Sequence, residues 1–196
     1  MPDHKVLLPE RELTDFEQHA YECTYLIGRG AGDVVRTPYI YTLNALDLLQ
    51  FTNTCTLLQR WDIDAEDCSL RFESASQGPP AKVSFTFTVT RPLCNTLGSL
   101  HGGCAATLVD ILSTTILMGV SRPGRFGFGG VSRNLRLTYL RPVPLGSEAR
   151  VMCEVMHVGK RLALLRAEIQ KADTGDICVV AEHEKANTDP EVDQKI

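Results

Sequence analysis

The sequence predicts an α+β protein in which an antiparallel sheet of about six strands wraps around one long buried helix. Two observations carry this prediction. Residues 101–120 are apolar around most of a helical circumference, so that this helix needs cover on nearly every side. The segments before and after it alternate apolar and polar residues, as strands do, and are separated by tight-turn sequences.

The predicted order is two strands, the helix and then four strands. Leu70 and Phe72 come before the turn sequence Gln77-Gly-Pro-Pro80, and Val83, Phe85, Phe87 and Val89 follow it at every second position. After the helix, a glycine-rich loop at 123–130 leads into the remaining strands. We place these at 131–140, 148–158, 161–172 and 177–185.

We divide the chain into three parts: an N-terminal helical extension at 1–65, a main domain at 66–187 and a C-terminal tail at 188–196. In the extension, Thr37 and Pro38 suit the start of a helix, whose leucine pattern ends near Trp61. We expect this helix to cover part of the main domain.

Composition limits the classes of function. The 196 residues, with 43% hydrophobic and 22% charged, suffice for one core of ordinary size. A net charge of -4 gives no overall field for nucleic acid or an anionic membrane, and no apolar stretch approaches the roughly 20 residues of a bilayer span. The N-terminal residues lack the pattern of a secretory signal or transit peptide. We expect a cytoplasmic protein, with mitochondrial or peroxisomal location as the alternative.

The sequence disfavours several kinds of chemistry. Seven cysteines without a CxxC pair, and five histidines without HExxH spacing, predict reduced thiols and no metal site. A lipase-type hydrolase would need a GxSxG elbow, which the sequence lacks. The glycines at 127–130 precede a predicted strand, whereas a dinucleotide-binding motif requires a helix there. Cys104 beside His101 stays open as a nucleophile, although a small buried cysteine is the more usual role.

Asp110 is the residue that local rules explain least. A carboxylate in a nearly all-apolar helix must be solvated, paired or used. Helical spacing places it in one row with Gly102, Ala106 and Thr114, opposite the apolar side. Two interpretations remain: an exposed aspartate on the one wet stripe of the helix, or a functional carboxylate.

Other candidates flank this helix. His101-Gly102-Gly103 lies at its start, where unpaired N–H groups and the helix dipole favour developing negative charge, although a turn before a helix often contains glycine. Asn95 and Ser132 lie on the adjoining segments, where they equally suit a turn and a strand surface. Lys160 and Arg161 follow Gly159 in a hairpin turn that suits nucleotide phosphates or simple solvation.

These residues jointly resemble a known family. Asn95 lies six residues before His101, and Asp110 lies nine after it; the motifs are Asn95-Thr-Leu-Gly98-Ser-Leu-His101-Gly-Gly103, Leu108-Val-Asp110, Gly130-Val-Ser132 and Thr138-Tyr139. Over about residues 68–186 the chain resembles hotdog-fold thioesterases of the PaaI type. The glycine-rich loop with Phe126 and Phe128 and the N-terminal extension depart from that family, and we expect both to reshape the acyl pocket.

The resemblance implies hydrolysis of a fatty or aromatic acyl-CoA. Asp110 would be the general base that activates water, or else the nucleophile, and Ser132 would position the water. The Gly102 amide would polarise the thioester carbonyl, while Asn95 and His101 would orient the reacting group. We expect four further residues to contact the coenzyme A portion: Gly103, Gly159, Lys160 and Arg161.

The resemblance also implies an assembly. Two subunits would join their sheets into a homodimer, or a dimer-of-dimers tetramer, with the site between subunits. No cofactor is expected, since coenzyme A belongs to the substrate. Two alternatives remain open: a hotdog hydratase acting on an enoyl thioester, and an acyl-CoA sensor that binds without turnover.

Overall fold

The computed structural model describes residues 8–27 and 68–190. The helix predicted between Thr37 and Trp61 lies outside the described residues. Those that are described form two α-helices, six strands and a short 3₁₀ turn at Arg91–Leu93. In chain order the elements are α1 (Asp15–Ile27), β1 (Arg71–Ser76), β2 (Lys82–Thr88), α2 (Gly102–Gly119), β3 (Val131–Tyr139), β4 (Glu148–Val158), β5 (Leu162–Lys171) and β6 (Ile177–Ala186).

The six strands form one antiparallel sheet in the order β1-β2-β4-β5-β6-β3. The predicted class, order of elements and number of strands are therefore confirmed. The first strand begins at Arg71 and not near Cys68, because Cys68 and Ser69 form a turn in which Ser69 has a φ of 50°. Helix α2 connects β2 to β3, and the strand order places β1 and β3 at opposite edges of the described sheet.

Helix α2 lies against the inner face of the sheet. Its apolar side is fully buried, as the sequence predicted, and this side consists of Ala105, Leu108, Leu112 and Ile116. The phenylalanines of β2, Phe85 and Phe87, belong to the same core. By length and composition α2 could cross a membrane, but 61% of its residues are buried inside the protein, as expected for the central helix of a folded core.

Helix α1 of the extension contributes to this core. Ala20 is fully buried, and the ring of Tyr21 meets that of Phe72 edge to face at 5.8 Å between centroids. Glu17 fastens the helix to β1 by accepting hydrogen bonds from the Arg11 guanidinium and from the main-chain N–H of Ala75. These bonds hold the pKa of Glu17 at about 2, well below its ordinary value. At least this part of the extension is packed onto the main domain.

Candidate active site

Asp110 and Ser132 come together on the inner side of the sheet. The Asp110 side chain is 43% exposed on the wet stripe of α2, and its Oδ1 accepts a hydrogen bond of 2.7 Å from Ser132 Oγ on β3. The preceding glycines make this approach possible, because Gly129 and Gly130 adopt φ values of 73° and 62°. A Cβ at Gly129 would lie only 2.6 Å from Thr114 Cγ2, one helical turn beyond Asp110.

A buried histidine on β6 stands behind this pair. His183 is 1% exposed, its Nε2 lies 2.9 Å from Ser132 Oγ and 3.2 Å from Asp110 Oδ1, and its Nδ1 lies 2.7 Å from Ser113 Oγ. The pKa of His183 is lowered to about 4, chiefly by burial. The charge of Lys185 also lowers this pKa, and its effect is larger than the opposite effect of Asp110. The imidazole is therefore neutral at physiological pH.

The hydrogen-bond partners assign the protons in this cluster. An ionised Asp110 only accepts, so Ser132 donates to it, and Ser132 Oγ must then accept from His183 Nε2–H. In that tautomer Nδ1 accepts from the Ser113 hydroxyl. The result is one chain of donors from Ser113 through His183 and Ser132 that ends on the Asp110 carboxylate.

Lys185 follows two residues later on the same face of β6. It is 4% exposed, and its Nζ donates a hydrogen bond of 2.9 Å to Thr114 Oγ1. Thr114 Oγ1 in turn donates to the main-chain oxygen of Asp110 at 2.7 Å. Burial lowers the pKa of Lys185, and the charge of Asp110 opposes that change.

The start of α2 forms a second group. His101 is the N-cap, and its Nδ1 accepts from Gly103 N–H at 3.0 Å, so that this amide is already engaged. The Gly102 N–H has no acceptor among the described residues, and the Gly102 carbonyl accepts from Tyr139 Oη at 2.8 Å. Asn95 Oδ1 accepts from two amides of its own turn, which leaves its NH₂ group as the donor for a ligand.

Asn95 and Gly102 line one cavity of about 330 Å³, together with Tyr139 and Arg141. This cavity does not include Asp110. Asp110 lies eight residues after Gly102 on the helix, which corresponds to about 12 Å along the axis. Within a single chain, the amide that suits an oxyanion and the carboxylate that suits a base therefore lie in two separate groups.

The predicted coenzyme A turn connects β4 to β5. Lys160 and Arg161 are exposed, and the backbone of the turn is fixed by Gly159 N–H donating to Leu162 O and by Asn187 N–H donating to Arg161 O. Leu162 pairs with Ala186 and Ala186 with Val131, so the turn lies at the same end of the sheet as Ser132. The separation across these strands is about 10 Å. The roles of Gly103, Gly159, Lys160 and Arg161 stay predictions.

Comparison with known proteins assigns the family. Residues 97–178 match the model of the Thioesterase superfamily. The chain is 35% identical over 106 residues to acyl-coenzyme A thioesterase 13 of Mus musculus and of Homo sapiens, which covers 54% of this chain and 73% of each relative. The chain belongs to the thioesterase superfamily. Membership makes it a thioester hydrolase, as the resemblance implied.

Solved structures show the same fold. Thioesterase superfamily member 2 of Mus musculus is 30% identical with a TM-score of 0.55, covering 66% of this chain and 90% of that one. The zebra fish protein of that name is 28% identical with a TM-score of 0.55, over 67% and 96% of the two chains. PaaI of E. coli, at 21% identity and a TM-score of 0.54, shares the fold over 67% and 92%. The hotdog architecture and the PaaI-type resemblance are confirmed.

Sequence reasoning missed His183 and Lys185. A signal for them was present, because the strand predicted at 177–185 places both on the same face as the buried Val179 and Ala181. A histidine and a lysine near the end of a strand look like surface residues when this alternation is not followed to the end. In this thioesterase they face the same helix that carries Asp110.

The cysteine alternative is not supported by the environment of Cys104. Its side chain is buried, and burial, followed by the neighbouring Cys68 and Cys94, raises the pKa of the thiol to about 12. A thiol of that pKa carries almost no thiolate at neutral pH. Residues 8–27 and 68–190 also contain no group of three or more His, Cys, Asp or Glu arranged to hold a metal ion.

Proposed function

We propose that this thioesterase hydrolyses fatty or aromatic acyl-CoA to a free acid and coenzyme A, with Asp110 as the general base. The observation that carries the proposal is the chain of donors from Ser113 through His183 and Ser132 to Asp110 Oδ1. The similarity to proteins named acyl-coenzyme A thioesterase supports the substrate class. We propose that no metal or redox cofactor takes part, because hydrolysis of a thioester needs only water and a base.

The geometry suits activation of water. Ser132 occupies Oδ1 of Asp110, so Oδ2 of the half-exposed carboxylate remains to accept a proton from water. The resulting hydroxide oxygen bonds to the thioester carbon, and a Gly102 N–H stabilises the oxyanion of the tetrahedral intermediate. When the C–S bond breaks, the proton on Asp110 passes to the departing thiolate, which restores the carboxylate.

We propose that a homodimer assembles the complete site. β3 is an edge strand of the described sheet, with unpaired backbone groups and exposed Val131 and Tyr139. It runs from Ser132, beside Asp110, to Tyr139, beside Gly102. Antiparallel pairing of two β3 strands about their centres therefore brings the partner subunit's Gly102 and Asn95 towards Asp110. Two such dimers would form the tetrameric alternative.

Two alternative functions make different demands. An enoyl-thioester hydratase needs a histidine and an acidic residue that both face the acyl chain. The histidine beside Asp110 is His183, which is 1% exposed and has both ring nitrogens engaged, whereas His101 belongs to the separate group at the start of α2. A sensor would bind acyl-CoA without releasing thiol.

We also propose a reducing compartment such as the cytoplasm, since the five described cysteines are free thiols.

The first experiment measures thiol release from short, medium, long-chain and aromatic acyl-CoAs by wild type and Asp110→Asn. We expect kcat to fall at least about 100-fold in the variant, since general-base catalysis contributes that much or more. Asp176→Asn is the matched control, because Asp176 is exposed and lies some seven residues, about 20 Å, along β6 from His183. Retained turnover in Asp110→Asn would contradict the proposal, and binding without thiol release by wild type would favour the sensor.

A single turnover in H₂¹⁸O separates the base from the nucleophile. With Asp110 as base, the product acid carries the solvent oxygen in the first turnover. With Asp110 as nucleophile, an anhydride forms first, and attack of water on its aspartyl carbon leaves an unlabelled Asp110 oxygen in the first product acid and ¹⁸O in the Asp110 carboxylate. An unlabelled first product would therefore establish the nucleophile.

Subunit exchange tests the composite site. Asn95→Asp keeps the oxygen that holds its turn and removes the NH₂ donor. If Asp110 and Asn95 of one site come from different subunits, mixing inactive Asp110→Asn with inactive Asn95→Asp restores one intact site in each heterodimer. Random exchange makes half of the dimers heterodimers, so about a quarter of wild-type turnover should return. Mass spectrometry of the dimers monitors the exchange. If heterodimers form and turnover does not recover, both residues of a site lie in one chain.

A further inference from the structure

Lys185 is a charged group buried beside the proposed reaction centre that the steps of hydrolysis above do not use. Its strand partners are Ser132 on β3 and Ala163 on β5, and its ammonium reaches Thr114 on α2. Lysine is almost never this buried unless its charge is paired, because removing an ammonium from water is costly. The position therefore requires a negative charge close by.

The charged groups facing Lys185 are few in the part of the chain that the structure describes. Asp110 on α2 is the anion whose charge acts on it, and His183 is the titratable neighbour on its own strand. The groups opposite it on β3 and β5 are an uncharged serine and an alanine. Glu184 faces the other side of the sheet, where it pairs with Arg133 at 3.6 Å.

We propose that Lys185 is a positioning residue of this thioesterase: its buried ammonium holds the Asp110 turn of α2 through Thr114 and, as a positive charge near His183, keeps the chain of donors directed at the Asp110 carboxylate. The proposal rests on the proposed function of Asp110. Lys185 acts through the helix and the imidazole, since its hydrogen bond goes to Thr114, which bonds the main chain of Asp110. It does not touch the acyl group.

The consequence of removing this charge follows from the proton assignment. A positive charge close to His183 opposes its protonation. Without Lys185, His183 gains a proton more easily, and an imidazolium whose Nε2 lies 3.2 Å from Asp110 Oδ1 neutralises the base. Nδ1 then carries a proton as well and no longer accepts from Ser113. Catalysis should consequently fail at a higher pH than in wild type.

Two variants separate the charge from the hydrogen bond. Lys185→Gln removes the charge and retains a donor for Thr114, and Lys185→Met removes both. We expect the acid limb of kcat/KM to move to higher pH by about one unit in both variants, with KM at high pH unchanged. Lys82→Met is the matched control, because Lys82 is exposed on the outer face of β2 and pairs with Glu154.

A readout without turnover tests the same inference. The ¹⁵N imidazole resonances report the protonation of His183, and their assignment comes from His183→Gln. We expect the titration midpoint of His183 to rise by about one pH unit in Lys185→Gln and to stay unchanged in Lys82→Met. An unchanged midpoint together with an unchanged acid limb would overturn the role of Lys185.

The outcomes distinguish the two proposals. Absence of thiol release by wild type would contradict the proposed function, while the imidazole titration would still decide whether Lys185 acts on His183. If neither lysine variant folds, wild type decides: the proposal requires a neutral His183 with a protonated Nε2 at pH 5.5, and a protonated imidazole at that pH would overturn it.

Discussion

Burial of a neutral His183 predicts a specific loss of stability in mild acid. The pKa of this histidine falls from an ordinary 6.5 to about 4 in the folded protein, chiefly because the ring is removed from water. As the pH falls below 6.5, the unfolded chain takes up the proton while the folded protein does not. Protonation therefore favours unfolding, and the stability present above pH 6.5 is lost progressively until the pH reaches about 4.

The size of this loss follows from the two pKa values. Between pH 7 and pH 5 the histidine alone lowers the free energy of unfolding by about 2 kcal/mol, and the full loss near pH 3 is about 3 kcal/mol. Glu17, with its lowered pKa, retains its charge in the folded protein over this range and loses its contribution only below about pH 4.5. The interval from pH 7 to pH 5 thus isolates His183.

Urea unfolding at fixed protomer concentration measures the effect at each pH. We expect wild type to lose about 2 kcal/mol more than His183→Gln between pH 7 and pH 5. His157→Gln is the control, since His157 is exposed on β4 and should leave the wild-type slope unchanged. Equal slopes in wild type and His183→Gln would refute the inference that the buried imidazole is neutral.

Two further predictions concern the loop and the thiol. Gly130→Ala should lower the free energy of unfolding by about 3 kcal/mol and reduce turnover, because Gly130 has a positive φ and a Cβ there would also overlap the Ala186 carbonyl oxygen. The control is Gly175→Ala, where φ is 72° but the space is open. It should lower the free energy of unfolding, measured in urea, by only about 1 to 2 kcal/mol. Equal losses would remove the steric argument. Cys104→Ala should keep more than about half of wild-type kcat in the thiol-release assay, since its thiol is not ionised; loss of turnover in a folded variant would reopen the cysteine mechanism.

The sheet and its central helix could be predicted from the sequence because each follows one strong periodicity. The structure places the helix at Gly102–Gly119, within one residue of the predicted limits. Asp110 stood out because a single carboxylate interrupts an apolar helix. Ser132 was assigned to the same site, as the residue that positions water, only through the family resemblance, since residues on separate elements have no spacing rule that makes them meet.

The polar groups behind Asp110 required knowledge of the sheet order. β6 and β3 are separated by two strands in sequence, yet they pair in the sheet, which places Lys185 opposite Ser132. Alternation along β6 assigns His183 and Lys185 to the inner face but does not reveal which helical residue they face. The predicted helix already implied that Gly102 and Asp110 lie about 12 Å apart along its axis, but the sequence could not show which groups fill the space between them.

The glycine-rich loop, which we predicted to depart from the family pattern, is held by hydrogen bonds that involve neither Asp110 nor Ser132. Asn187 Oδ1 accepts from Phe126 N–H, and the Asp189 carboxylate accepts from the N–H groups of Gly127 and Phe128. These bonds fix the loop from the chain segment after β6, so the entry of β3, and with it Ser132, stays in place. The Phe126 side chain is fully buried in the core, whereas Phe128 is exposed. We predict that any effect of this loop on acyl preference comes from the exposed ring of Phe128, while the reaction centre keeps its geometry.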